Sequence, residues 1–357
     1  MRILYISDAA SIHTRRWVEY FRDKGHDVHL ASFTYYDIPG VKAYKLSTFG
    51  FGKLGYFFAL FLLPKIFNRI KPDLVHAHYL TSYGFIAALA GLRPLVVSAW
   101  GSDVLIAPKE SKILRYFVKY AIRRADAVTV LAEHMVSSVL ELGGKAEKIT
   151  STPFGVDTDF FKPNSKKTSN KQFLKLICTR NFDTVYDIST LLIALEKVFS
   201  VNAIFQVDLV GDGPLRSKLI SESKQLGIFS KIKFKGHVDH RELVELLSGA
   251  DIFVSPSLSD GNNVSLNEAM ACGCFPIATN IPANAQWITD GQNGLLYPAG
   301  NAELLAECLK IAMNNDTLRQ KAIEQNRQIV LSSADWRICT LRMENVYHKI
   351  IKNECLS

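Results

Sequence analysis

The stretch IFVSPSLSDGNNVSLNEAMACGCFPIAT, residues 252–279, carries a strand, a loop, a helix and a second strand in one short run. Ile252–Ser255 is an apolar run of the kind found in strands buried on both faces. Gly and Asn fill the loop that follows, and a helix is expected over 264–272. Phe275–Ala278 is the next strand. Strands joined through a helix belong to a parallel sheet.

The same alternation runs outward in both directions. In the second half, strands are expected at Leu174–Thr179, Gln206–Val210 and Ile232–Phe234. Helices are expected near 188–200, 214–226, 240–249 and 301–314. In the first half, strands are expected at Ile3–Ser7, Asp27–Ser32, Leu74–His78, Leu95–Ser98 and Ala127–Leu131. Helices fill Arg16–Lys24 and the regions near 54–70, 81–91 and 110–124. Each half therefore predicts an α/β sheet wound on both faces. Between them lies PFGVDTDFFKPNSKKTSNKQF, residues 153–173, which is polar and closes in a Ser/Lys/Asn run. The expected division is a first domain over 1–162, a linker over 163–172, a second domain over 173–335, and a terminal helix over 336–357 returning to the first domain. A cleft is expected between the two domains.

Composition agrees with this division. A chain of 357 residues exceeds one compact core, and a hydrophobic share of 48% with 21% charged residues is that of a globular protein. The first residues, MRILYISDAA, lack the features of a signal peptide, and the apolar run Phe57–Leu63 stops at Pro64, too short to span a bilayer. A cytoplasmic protein is expected. The six cysteines form no C-x-x-C pair and read as reduced structural thiols. The net charge of +8 resides almost wholly in residues 1–162, which suits a phosphate-bearing substrate or an anionic membrane surface. No recognised nucleic-acid motif accompanies it, so nucleic acid is not expected as a partner.

Open α/β sheets bind ligands beyond the carboxyl ends of their strands. After Gln206–Val210 come Gly211, Asp212 and Gly213, either a tight turn or the border of a nucleotide. After Ile232–Phe234 come His237 and Val238, which admit the same two readings. Arg180 follows Leu174–Thr179, where a guanidinium suits a phosphate. The opening stretch offers Asp260 in the loop, then Asn262, Asn263, Val264 and Ser265 at a helix start. Free amides and the positive dipole end make that start a seat for a diphosphate. Asn263 tolerates left-handed backbone, as a nest of amides often requires. Glu268, one turn on, is placed to reach ribose hydroxyls; a plain helix cap is the competing reading. In the first half, SIHTRRW puts His13 and Arg15 at a loop and helix start, HAHY ends the third strand with His78, and SAWGSD ends the fourth with Trp100 and Asp103. His76 and His78 are expected on opposite faces of their sheet, and so not as a shared metal pair.

Taken together these residues resemble a retaining nucleotide-sugar glycosyltransferase of family 4 (group 1), with the two-Rossmann GT-B fold. SDGNNVSLNEAMACGCFPIATNIPANAQWITDGQNGLLYP is similar to that family's E-x7-E region, PFGVDTDFFKP to the end of its first domain, and LVGDGPL, FKGHV, DLVHAHY and WGSD to further signatures. The resemblance implies that Glu268 binds the donor ribose. It implies that amides near Asn263 and Val264 hold the diphosphate with Arg180, and that Gly211, His237 and Val238 border the nucleotide. Asp260 stands where the family has a Glu that contacts the sugar. A lysine usually follows the arginine; here Tyr186 or Asp187 falls near its place. Trp100 stands where a histidine is usual, and SIHTRRW replaces a glycine-rich loop. The chain is similar to a subgroup that shares SIHT-RW, WGSD and a tyrosine after the arginine.

The resemblance implies transfer of a hexosyl residue from a nucleoside-diphosphate sugar, with retention, to a saccharide or lipid-linked acceptor of cell-surface polysaccharide. It implies a front-face mechanism, with no cofactor and no metal. Asp157-Thr158-Asp159 is read as part of the linker signature rather than a metal site. Lys112, Arg115, Lys119 and Arg123 form a basic helix stripe, with Ile113, Leu114, Phe117, Val118 and Ile122 on its apolar side. The stripe is either a solvated face or a contact with anionic lipid at the inner face of the membrane. An epimerase of the same fold and a non-catalytic scaffold remain the alternatives.

Overall fold

The computed structural model describes residues 1–164, 174–199 and 205–354. The chain forms two compact units, Met1–Phe154 with Cys339–Ser357, and Gly155–Ile338. Most of the expected linker, from residue 165 on, lies outside the described residues, as does Cys355.

The first unit holds seven strands: β1 (Arg2–Ile6), β2 (Asp27–Ser32), β3 (Lys42–Lys45), β4 (Leu74–His78), β5 (Leu95–Ala99), β6 (Ala127–Val130) and β7 (Ile149–Ser151). They lie in the order β3-β2-β1-β4-β5-β6-β7, every neighbour parallel. The order reverses direction between β1 and β4. A crevice opens at such a switch point, because the loops leaving the two central strands turn to opposite sides. The second unit repeats the plan with β8 (Leu174–Cys178), β9 (Phe205–Val210), β10 (Ile232–Gly236), β11 (Ile252–Ser255), β12 (Phe275–Thr279) and β13 (Leu295–Tyr297). Their order is β10-β9-β8-β11-β12-β13, again all parallel, with the switch between β8 and β11.

Central strands carry apolar side chains on both faces. Leu176 and Cys178 of β8 enter one core layer with Leu191, Leu195 and Leu309, while Ile177 enters the other with Phe253, Leu266 and Met270. Edge strands depart from that rule: β3 reads KAYK and is largely exposed, which is why its apolar content does not announce it. The helix after β1 begins at Ile12, four residues before the expected Arg16, so His13 and Arg15 sit in its first turn. A further helix, Asp316–Ser333, and a terminal helix, Trp336–Glu354, follow β13. From Cys339 onward the terminal helix belongs to the first unit. There Tyr347 is fully buried, its hydroxyl 2.9 Å from that of Tyr5 and 2.6 Å from Nδ1 of His76.

Cys178, Cys272, Cys274, Cys308 and Cys339 are buried, and the Cys274 thiol donates to the Leu247 carbonyl at 3.1 Å. Burial pushes the Cys178 thiol up to about 12, which keeps it protonated and inert. Among the described residues no helix is long and apolar enough to cross a membrane.

Candidate functional site

In the second unit, Arg180 leaves the end of β8 and is only 7% exposed. Three groups fix its guanidinium. Nη1 donates to Oδ1 of Asn263 at 2.8 Å, Nη2 donates to the Asp260 carboxylate, and the plane lies over the Tyr186 ring, 4.3 Å from its centroid. Nε is buried and has no hydrogen-bond partner among the described residues. The loop after β11 supplies Asp260 and Asn263, so the two strands at the switch point build this cluster together.

Asn263 caps the helix Val264–Ala271. Its Oδ1 accepts from the Leu266 amide at 3.1 Å, and its Nδ2 donates to Ser255 and Asn284. Its φ is −76°, outside the left-handed region. An Asn whose side-chain oxygen satisfies a first-turn amide caps the helix without left-handed backbone. Asp260 pairs with Arg180 and accepts from the Asn262 amide at 3.2 Å, so in this state its carboxylate is spent within the site. Asn262 is buried, and neither side-chain amide atom has a partner among the described residues. An unsatisfied buried amide costs about 1–3 kcal/mol, which makes it a notable feature beside a buried arginine. Ser265 donates to the Thr179 carbonyl at 3.2 Å, tying helix start to β8 end. Val264 and Glu268 are half-buried on the same helix, Glu268 one turn in.

Gly211 and Gly213 have φ +141° and +156°, and a Cβ on either would strike backbone, the Arg180 carbonyl in one case and the Phe182 carbonyl in the other. The G-x-G turn is thus required by the chain that passes beneath it and needs no ligand to explain it. Asp212 accepts from the Gly213 amide and pairs with Arg216. His237 is exposed and Val238 half-buried beyond β10. Asp157-Thr158-Asp159 forms a turn. Asp157 accepts from the Asp159 and Phe160 amides, Thr158 bonds Asp335, and Asp159 pairs with Arg337.

The first unit has its own cluster at the carboxyl ends of β1, β4 and β5. His13 stacks on Phe154 at 3.9 Å, and Trp100 packs against His78 at 5.1 Å and Phe154 at 5.3 Å. Ser7 links Thr14 at 2.7 Å to Nδ1 of His78 at 2.9 Å. Burial lowers His13 to about 4, helped by Arg16, and lowers His78 to about 3, so both rings are neutral at pH 7. Nδ1 of His13 and Nε2 of His78 are buried with no hydrogen-bond partner among the described residues. His76 and His78 share one face, ring centroids 4.4 Å apart, contrary to expectation. Side chains alternate along a strand, so positions two apart point the same way. His76 is occupied on both nitrogens, by Tyr347 and by Ser98.

Asp103 and Arg15 are engaged by neighbours within the first unit. Asp103 is fully buried and accepts from the amides of Leu80, Trp100 and Gly101. It holds the β5 loop in shape and offers no exposed oxygen to an acceptor. Burial raises it to about 6, against the pull of those amides. Arg15 lies over Tyr36, 4.4 Å from the ring centroid. Phe154 and Asn284 were not singled out by sequence. No spacing rule marks them, since each earns its place only through a side chain brought from far along the chain.

Two doubly wound parallel sheets, each with polar side chains gathered at its switch point, define a two-domain α/β protein of the GT-B type. Residues 2–132 match the family described as Glycosyl transferase 4-like, and residues 159–329 match Glycosyl transferases group 1. The chain belongs to the group 1 glycosyltransferases. It is 26% identical to the uncharacterized glycosyltransferase MJ1178 of Methanocaldococcus jannaschii over 282 residues, 78% of this chain and 76% of the other. It is 25% identical over 204 residues, 55% of this chain and 50% of the other, to the putative colanic acid biosynthesis glycosyltransferase WcaL of Salmonella typhimurium. Its fold superposes on Anabaena Alr3699/HepE in complex with UDP with TM-score 0.82, at 18% identity, covering 98% of this chain and all of that one. HepE has also been solved with UDP-glucose.

Proposed function

We propose that the chain moves a hexosyl residue from a nucleoside-diphosphate sugar to a hydroxyl of a lipid-linked glycan, with retention, in cell-surface polysaccharide synthesis at the cytoplasmic face of the membrane. The observation that carries this is Arg180: a buried guanidinium at the second switch point, beside a capped helix start, with its Nε and the Asn262 amide unmatched. A diphosphate supplies the acceptor oxygens those groups lack. The UDP and UDP-glucose held by HepE and the colanic acid role of WcaL support the donor and the pathway class.

In the proposed reaction the bond from the anomeric carbon to the diphosphate oxygen breaks, and its electron pair stays with the diphosphate. The acceptor oxygen bonds to the anomeric carbon on the same face, and its proton passes to the departing phosphate. Arg180 and the start of helix Val264–Ala271 stabilise the charge that grows on the leaving group. Glu268 takes the ribose, and Gly211, His237 and Val238 border the base. His13, His78 and Trp100 line the acceptor side. The residues supply this charge stabilisation themselves, so neither metal nor cofactor is invoked.

The test is a mass-spectrometric screen of nucleotide sugars against lipid-linked and soluble acceptors. Acceptor-dependent gain of one hexosyl unit, reduced about 100- to 1,000-fold in Arg180→Ala, is expected. Sugar isomerisation without acceptor would mean an epimerase, and inertness toward every donor would mean a scaffold. Either result overturns the proposal.

A further inference from the structure

Five of the six exposed phenylalanines among the described residues fall within residues 49–61. Phe51 and Phe61 are 63% and 72% exposed, and Phe49, Phe57 and Phe58 are exposed as well. They are not strays. The Phe49 and Phe51 rings lie 5.1 and 5.6 Å from that of Phe58, and Phe57 meets Phe117 at 6.5 Å. Phe117 belongs to the helix Lys112–Arg124, which presents Ile113 and Tyr116 to solvent at 67% and 62% exposure. This corrects the expected apolar side of that helix: Val118 and Ile122 are buried, whereas Ile113 shares the outer face with the cations. Leu114 and Phe117 are half-buried between.

Charge separates this patch from an ordinary interface. Residues 38–72 contain no Asp or Glu, and residues 111–124 contain none. Lys65, Lys112 and Arg115 are exposed on the two helices that carry Phe61, Ile113 and Tyr116. A second copy of the chain would set these cations against their own kind. A bilayer with anionic headgroups satisfies both components at one depth: rings settle among the headgroups while the long cationic side chains reach lipid phosphates.

We infer that residues 49–61 and the outer face of helix Lys112–Arg124 form a membrane-docking surface for anionic lipid, with Phe51, Phe58, Phe61, Ile113 and Tyr116 entering the headgroup layer. The inference deepens the proposed lipid-linked acceptor and rests on that reading for its purpose.

Co-sedimentation with vesicles of phosphatidylglycerol and phosphatidylcholine, against phosphatidylcholine alone, tests it. The protein is expected to partition at least about tenfold more strongly onto the anionic vesicles, and less at high salt. The double change Phe51→Ser and Phe61→Ser should lower partitioning about tenfold, with circular dichroism and melting temperature unaltered because these are among the most exposed rings of the group. The double change Lys112→Glu and Arg115→Glu should remove most of the salt sensitivity. Equal binding to both vesicles, no binding to either, or a dimer that these changes dissolve would each overturn the inference. Protein that transfers sugar to a soluble acceptor yet ignores vesicles refutes the surface alone. Protein that binds vesicles yet transfers nothing refutes the reaction and leaves the surface supported.

Discussion

Arg180 is held from three sides before any ligand arrives, and one of the three is a carboxylate. A buried ion pair of this kind is costly to break from one side, about 3–5 kcal/mol when a partner is removed outright. Asp260→Asn keeps a hydrogen-bond acceptor and is the gentler change. It should destabilise the fold by about 1–3 kcal/mol in urea unfolding. The freed guanidinium should then gain more from an anion, so pyrophosphate should raise the melting temperature of the variant more than that of the native protein. Equal shifts would mean that the diphosphate does not meet Arg180. Tyr186 fits the same picture, its ring serving as a platform under the guanidinium.

The strand-end turns show why some positions were readable and others were not. Apolar runs bounded by Gly, Pro or Asn located every central strand, because a strand buried on both faces has little freedom in composition. β3, β7 and β13 are short edge or near-edge strands, and KAYK, ITS and LLY leave no such imprint. Arg180 and Asp260 were legible as residues at strand ends, but their pairing was not, since it depends on side chains 80 positions apart meeting at the switch point. The G-x-G turn was legible as a turn and proved to be one that packing dictates. Gly211→Ala and Gly213→Ala should therefore each destabilise the fold by about 2 kcal/mol or more, read as a lower urea midpoint. Unchanged midpoints with weakened donor binding would point instead to a ligand contact.

Across the first unit, neutral buried histidines give folding a definite pH dependence. In the unfolded chain a histidine takes its proton near 6.5. Folded His13 and His78 wait until about 4 and about 3, and His76 is lowered in the same direction. The unfolded state therefore binds more protons as pH falls below 6.5, and stability declines from there toward pH 4. Asp103 works the other way: raised to about 6, it favours the fold at acidic pH and loses that contribution as pH rises through 6. Three histidines outweigh one aspartate, so the net expectation is a lower melting temperature at pH 5 than at pH 7.5. His78→Gln should flatten that slope, whatever it does to absolute stability. A slope unchanged in the variant would show that His78 is not among the groups that resist protonation.

The buried hydroxyl of Tyr347 has a consequence for how the chain is made. Residues 155–338 leave the ribosome before Tyr347 does, so the second unit can close while the first still lacks the partner for Tyr5 and His76. Translation order and completion order are thus reversed: the unit begun first is finished last.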